Sequence, residues 1–130
     1  MVSIDTNVAV RLLVNDDQDQ SRRAVALFKS QPVYITKTVF LETEWILRGV
    51  YKIDVKRVNA ALTALLSLEG VQVEEASTLF MALDAHAKGM DFADALHLVS
   101  SHRADTFATF DAGFRSLAKK LQLQPHVVSP

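Results

Sequence analysis

A chain of 130 residues with 49% hydrophobic side chains is long enough to bury a core of its own, and it reads as a single domain over residues 1–130. Its 14 Lys and Arg against 15 Asp and Glu give a formal net charge of -1, which excludes a global basic field and leaves nucleic-acid contact to a local patch. The absence of cysteine removes disulfides, thiolate nucleophiles and sulfur-based metal sites together. The start Met1-Val-Ser-Ile-Asp5 does not read as a signal peptide and no stretch is long enough to span a bilayer, so a cytoplasmic location is expected.

Val2 to Ile4 reads as a short buried strand, followed by a short helix over Val8–Val14. The polar turn Asn15-Asp-Asp-Gln-Asp19 offers caps for a helix from Ser21 to Ser30, with an apolar face of Ala24, Val25, Leu27 and Phe28 that ends before Pro32. Val33–Ile35 is a second strand, and Thr36 or Thr38 caps a helix running to about Val50. Asp54 is the expected N-cap of a helix through Leu68, whose Val55, Val58, Leu62, Leu65 and Leu66 form one stripe, and Gly70 stops it. Val71–Val73 is a brief strand, Ser77 to Lys88 is helical, and Gly89 ends that helix. The helix opened by Asp91 follows, with Phe92, Leu96 and Val99 toward a core and Asp94, His97 and Ser101 on the opposite side. Thr106–Thr109 is a strand, Asp111 opens a helix over Phe114–Leu121, and Pro125–Val128 is a final strand. Alternating strands and helices imply an α/β fold, with a central, mainly parallel sheet of four to five short strands flanked by helices.

Asp5 and Asp111 each follow an apolar run and precede a helix, which in a parallel sheet places them at the carboxyl edge, where open α/β sheets keep their sites. Each acid also has a structural explanation. Asp5, Asp91 and Asp111 are natural helix caps, Asp94 stands near the positive end of its helix dipole, and Glu42 can be a solvated helix residue. Caps have no reason to converge, however, and carboxylates gathered in one cleft cannot all stay ionised without a cation. An oxygen-rich, sulfur-free site suits Mg²⁺ or Mn²⁺. A carboxylate-bound metal pair can activate water and stabilise the leaving oxygen of a phosphodiester.

The segments Ile4-Asp-Thr-Asn-Val8, Leu41-Glu-Thr-Glu-Trp-Ile-Leu-Arg48, Asp91-Phe-Ala-Asp-Ala-Leu-His-Leu98 and Thr109-Phe-Asp111 resemble the successive signature blocks of the PIN domain. Their order and spacing, with the total length, resemble the VapC toxins of bacterial VapBC toxin–antitoxin pairs. The resemblance covers essentially the whole chain. It implies that Asp5, Glu42, Asp94 and Asp111 hold Mg²⁺ or Mn²⁺ as the catalytic acids of an endoribonuclease that cleaves structured RNA, a tRNA or rRNA loop, and arrests translation. It implies supporting roles for Asn7 and Thr109, with Thr6 and Asp91 as weaker supports that orient the carboxylates. It also implies a homodimer and a cognate VapB-type antitoxin that obstructs the acidic cleft.

Glu44 competes with Glu42, since both border the apolar stripe of Val39, Thr43, Ile46 and Val50; alignment with the motif favours Glu42. Asp91 competes with Asp94, and the pair Asp94-Ala95 fits the motif better. His97 receives no role, and His86, His102 and His126 lack matched ligand spacing for zinc. Trp45, Phe110 and Phe114 are expected in the core or an interface. Arg11, Arg22, Arg23, Arg48, Lys52, Lys56 and Arg57 form either an RNA-backbone track or a solvated surface. Two other readings compete: a receiver-like phospho-acceptor domain, which shares the length and an acidic Mg²⁺ pocket, and a catalytically silent PIN-fold module that only binds RNA or protein.

Overall fold

Five strands and seven helices alternate along the chain in the computed structural model, which describes residues Met1–Pro130. The fold is α/β. The chain gathers into two compact units, Met1–Ala76 and Ser77–Pro130.

In the first unit, β1 (Val2–Ser3), β2 (Val33–Ile35) and β3 (Val71–Val73) form a parallel sheet with β2 in the centre. Val2 pairs with Val33, and Val33 in turn with Val71. Val33 and Ile35 are fully buried, as a central strand of alternating β-branched residues requires. Helix α1 (Thr6–Leu13) begins two residues before the expected Val8, because the Asp5 carboxylate accepts the Val8 amide at 3.2 Å and caps the turn directly after the strand. Helix α2 (Gln18–Ser30) likewise starts early, on a cap from Asp17 to the Gln20 amide at 3.0 Å. Helix α3 (Lys37–Gly49) buries Phe40, Thr43, Glu44 and Leu47. Helix α4 (Val55–Leu66) is capped by Asp54, whose side chain accepts from the Arg57 amide at 3.0 Å, and it ends two residues before the expected Leu68. Val58, Leu62, Leu65 and Leu66 are its buried stripe, each worth about 1.5–3 kcal/mol of transfer free energy. Gly70 then takes φ 84°, where a side chain would be strained.

A polar clasp closes the turn between α1 and α2. Arg11 donates to Asp16 at 2.8 Å, to Gln20 at 2.6 Å and to the Tyr51 hydroxyl at 3.2 Å, while that hydroxyl donates to Asp16 at 2.7 Å. The Asp16 carboxyl is held below its ordinary 3.8, first by the Tyr51 hydrogen bond and then by the Arg11 charge, against a desolvation that pushes it up. A lowered folded value means the stabilisation is complete above about 3.8 and is lost as pH falls through the folded value. Tyr51→Phe should therefore flatten the acid limb of the stability curve, a difference readable by urea titration on either side of that pH. An acid limb unchanged from wild type would remove Tyr51 from the clasp.

In the second unit, α5 (from Ala76 to Ala87) ends at Gly89, which takes φ 105° at the stop the sequence marks. Helix α6 (Phe92–Ser100) buries Phe92, Ala95, Leu96, Leu98 and Val99, leaves His97 exposed and Asp94 half-buried. β4 (Thr106–Ala108) and β5 (His126–Val128) pair in parallel; α7 (Ala112–Lys120) packs on β5, buries Phe114 and Ala118, and stacks the Phe114 ring on Phe107 of β4 with centroids 5.3 Å apart.

The expected mainly parallel arrangement of four to five short strands flanked by helices is present. All five strands are present and every pairing is parallel, but they form a three-stranded and a two-stranded sheet. Strand length is the reason: strands of two or three residues offer few ladder bonds, and β1 contributes only Val2 and Ser3 to its ladder. No helix is long and apolar enough to cross a membrane.

Candidate active site

The acids of the first unit meet at one cavity. Asp5 is presented at the carboxyl end of β1, anchored behind by the buried Ile4, and one of its carboxylate oxygens is fixed by the cap to Val8. Thr6 is buried, and its hydroxyl donates a short hydrogen bond to the Glu42 carboxylate on α3. Asp5, Thr6, Asn7 and Glu42 line a cavity of about 470 Å³ whose remaining wall is Val10, Trp45, Ile46, Val50 and Tyr51. A second cavity of about 390 Å³, lined by residues of α1 and α2 from Asn7 to Leu27, contains no acid. Thr6, the weaker of the expected supports, is thus the residue that binds a candidate acid, whereas Asn7 lies exposed on the wall.

The choice between Glu42 and Glu44 is geometric. Two residues along a helix turn the side chain to nearly the opposite face. Glu42 is exposed on the cavity; Glu44 is only 3% exposed, sits on the buried face of α3, and accepts from Arg48 Nε at 2.8 Å. Glu44 is a structural ion-pair partner rather than a second wall acid.

The second unit carries the other three candidate acids. Asp91 caps α6 by accepting the Asp94 amide at 3.1 Å. The Asp94 carboxyl is pushed up, first by burial and then by the charges of Asp91 and Asp111, with His97 pulling it back. Asp111 caps α7 through the Phe114 amide at 3.0 Å, and its own amide donates to the Thr109 hydroxyl at 3.1 Å. Thr109 therefore supports the backbone of Asp111 rather than its carboxylate. The same loop is tied by the Thr109 amide to Val128 at 3.0 Å and by Arg115 to the Thr109 carbonyl at 2.8 Å. A Cβ at Gly113 would meet the Asp111 carboxylate at 3.3 Å, so the glycine keeps room for that oxygen. Sequence reading passed over Arg115 and Gly113. Their only signal is spacing, since both lie within one helical turn of Asp111.

Of the aromatics expected in the core or an interface, Phe114 is in the core at 8% exposure, whereas Trp45 and Phe110 lie outside it at 57% and 85%, which leaves them the interface alternative. Four of the seven basic residues are committed to carboxylates: Arg11 to Asp16, Arg22 and Arg23 to Asp19, and Arg48 to Glu44. What is left of the basic track is Lys52, Lys56 and Arg57, all exposed. No group of three or more His, Asp or Glu is drawn together as a preformed metal site. Burial first, and then repulsion from neighbouring carboxylates that no cation offsets, is the pressure visible on Asp94. Within each unit the candidate donors are carboxylate oxygens with no sulfur among them, and Asp94 is partly desolvated, a chemistry that fits a hard divalent cation.

Residues 2–120 match the PIN domain family. The chain belongs to that family. PIN domains are usually nucleases and generally depend on divalent metal, so this chain has a nuclease-type fold. No curated protein matches the chain. Membership also sets aside the receiver reading, as does the strand order. A receiver sheet places its first strand between the second and third, whereas this PIN domain has β2 between β1 and β3.

Proposed function

We propose that this PIN domain is a Mg²⁺- or Mn²⁺-dependent endoribonuclease, the VapC-type toxin of a toxin–antitoxin pair. Its target is an exposed loop of structured RNA, tRNA or rRNA, and its effect in the cell is arrested translation. The observation that carries the reading is the pairing of Asp5 with Glu42 on one cavity wall, in a chain of a family whose members are usually nucleases.

Asp5, Glu42, Asp94 and Asp111 are the carboxylates assigned to the metal. A divalent cation held by such a set supplies a nucleophile at neutral pH and charge stabilisation at the leaving oxygen. The chain's own residues prepare the acids. The Asp5 and Asp111 side chains are held by their caps, Thr6 holds Glu42, and Thr109 with Arg115 fixes the turn before Asp111. Fixed carboxylates do not have to be ordered when the substrate arrives. The scissile strand must be single-stranded to reach such acids, because a rigid duplex holds its backbone away from them. Asp91 is a helix cap in this reading, with an electrostatic influence on Asp94.

The proposal extends to a homodimer, to a cytoplasmic site of action, and to a cognate VapB-type antitoxin. A basic antitoxin side chain in the acidic cleft is the electrostatically favourable plug.

The deciding experiment is cleavage of total cellular RNA by wild type and Asp5→Asn, in Mg²⁺ or Mn²⁺ and again with chelator. Asparagine caps a helix about as well as aspartate, so the variant keeps its fold and loses only the charge. Discrete metal-dependent cuts that disappear in Asp5→Asn are expected, and mapping them names the target. Absence of cutting by folded, metal-supplied protein freed of antitoxin would leave a PIN fold that only binds.

A further inference from the structure

We infer that Trp45 is a stacking platform that holds one base of a single-stranded RNA in the cavity bearing Asp5 and Glu42. The inference rests on the ribonuclease reading for its substrate class and adds a residue that the reading does not use. Helix α3 buries Phe40 completely and Leu47 to 1% exposure, yet leaves the indole of Trp45 57% exposed. Trp45 stands three residues after Glu42, so ring and carboxylate occupy the same face one turn apart, and both line the cavity.

The indole is also braced. It lies along the helix over Gly49, so close that a Cβ there would touch the ring at 3.8 Å. One side of the ring thus meets the helix while the rest faces the cavity, beside the apolar Ile46 and Val50. A cavity lined by two carboxylates and by an exposed aromatic ring matches a nucleotide whose phosphate would lie toward the acids, with the cation they would hold, and whose base lies on the ring. Stacking tolerates any base, because each has a π-face, and it requires an unpaired one.

Trp45 is the only tryptophan of the chain, so fluorescence excited at the red edge of the indole band, where Tyr34 and Tyr51 do not absorb, reports on it alone. The full-length Asp94→Asn protein, which leaves the strand uncut, is titrated with oligouridylate in Mg²⁺. Saturable quenching is expected, and inorganic polyphosphate, which has the charge without the bases, should not reproduce it. Adding Trp45→Leu should weaken binding of a labelled oligouridylate by about 5- to 150-fold, the equivalent of about 1–3 kcal/mol for one stacked base. Trp45→Phe should recover most of that loss. Unchanged fluorescence together with unchanged affinity of the Leu variant overturns the proposal, while cleavage by wild type and its loss in Asp5→Asn continue to judge the nuclease reading separately. Quenching and Leu-sensitive binding by a wild type that never cuts would uphold the platform and defeat the nuclease. Sedimentation showing that Trp45→Leu turns a dimer into a monomer with RNA affinity intact would assign the ring to a second copy of the chain and overturn the platform.

Discussion

Replacing Asp94 with asparagine should abolish cleavage and leave the metal-free protein at least as stable as wild type. The two halves have one cause. Burial and the charges of Asp91 and Asp111 push the Asp94 carboxyl up, against the pull of His97, so this environment disfavours the ionised form. Removing the charge relieves that cost in the absence of a cation. With a cation supplied, the loss of a direct ligand should exceed the effect of groups that merely orient ligands, which is about 10–100-fold. A fall in cleavage of more than about 100-fold is expected on that basis. Cleavage measured beside thermal melts in chelator tests both halves. Undiminished cutting would take Asp94 out of the site, and a clear drop in the melting temperature would mean its charge has a structural partner.

Glu42→Gln and Glu44→Gln should separate chemistry from folding on a single helix. Glu42 is exposed on the cavity and its carboxylate accepts only from Thr6, so the glutamine variant should fold normally and cut at least about 100-fold more slowly, by the same comparison with orienting groups. Glu44 is 3% exposed and paired with Arg48, which is itself 39% exposed. Its glutamine variant keeps an acceptor but loses the charge. Hydrogen bonds to charged groups are worth about 1.5–3 kcal/mol, and the solvent around Arg48 discounts this to about 1 kcal/mol of lost stability. Cleavage should stay near wild type. Denaturant melts and cleavage rates of both variants check the assignment, and a reversed ranking in the cleavage assay would show that the wrong glutamate faces the RNA.

What could be read from the residues was mostly local chemistry. Asp54, Asp91 and Asp111 cap the helices for which they were nominated, and β2 and β3 fall where Val33–Ile35 and Val71–Val73 predict them. Local signals of this kind act over three or four positions, and nothing farther along the chain competes with them. The register on α3 was not legible in the same way. Glu42 and Glu44 both flank an apolar stripe, and what decides between them is which face neighbouring elements cover, a property of packing. Whether Trp45 belongs to the core or to an open surface was illegible for the same reason: an aromatic at helical spacing is buried only if something is laid over it. The division of five strands into two sheets depends on individual ladder bonds at strands of two or three residues, below the resolution of any alternation pattern.

The dual use of the capping acids has an evolutionary consequence. Asp5 and Asp111 each close the first turn of a helix, whereas Glu42 and Asp94 cap nothing. Were a lineage of this protein to abandon cutting, selection for a folded chain would still act on positions 5 and 111, with only Ser, Thr or Asn as ready replacements. Positions 42 and 94 would be released at once. A silent descendant would therefore betray itself at those two positions first, and an intact pair at 5 and 111 would say nothing of its activity.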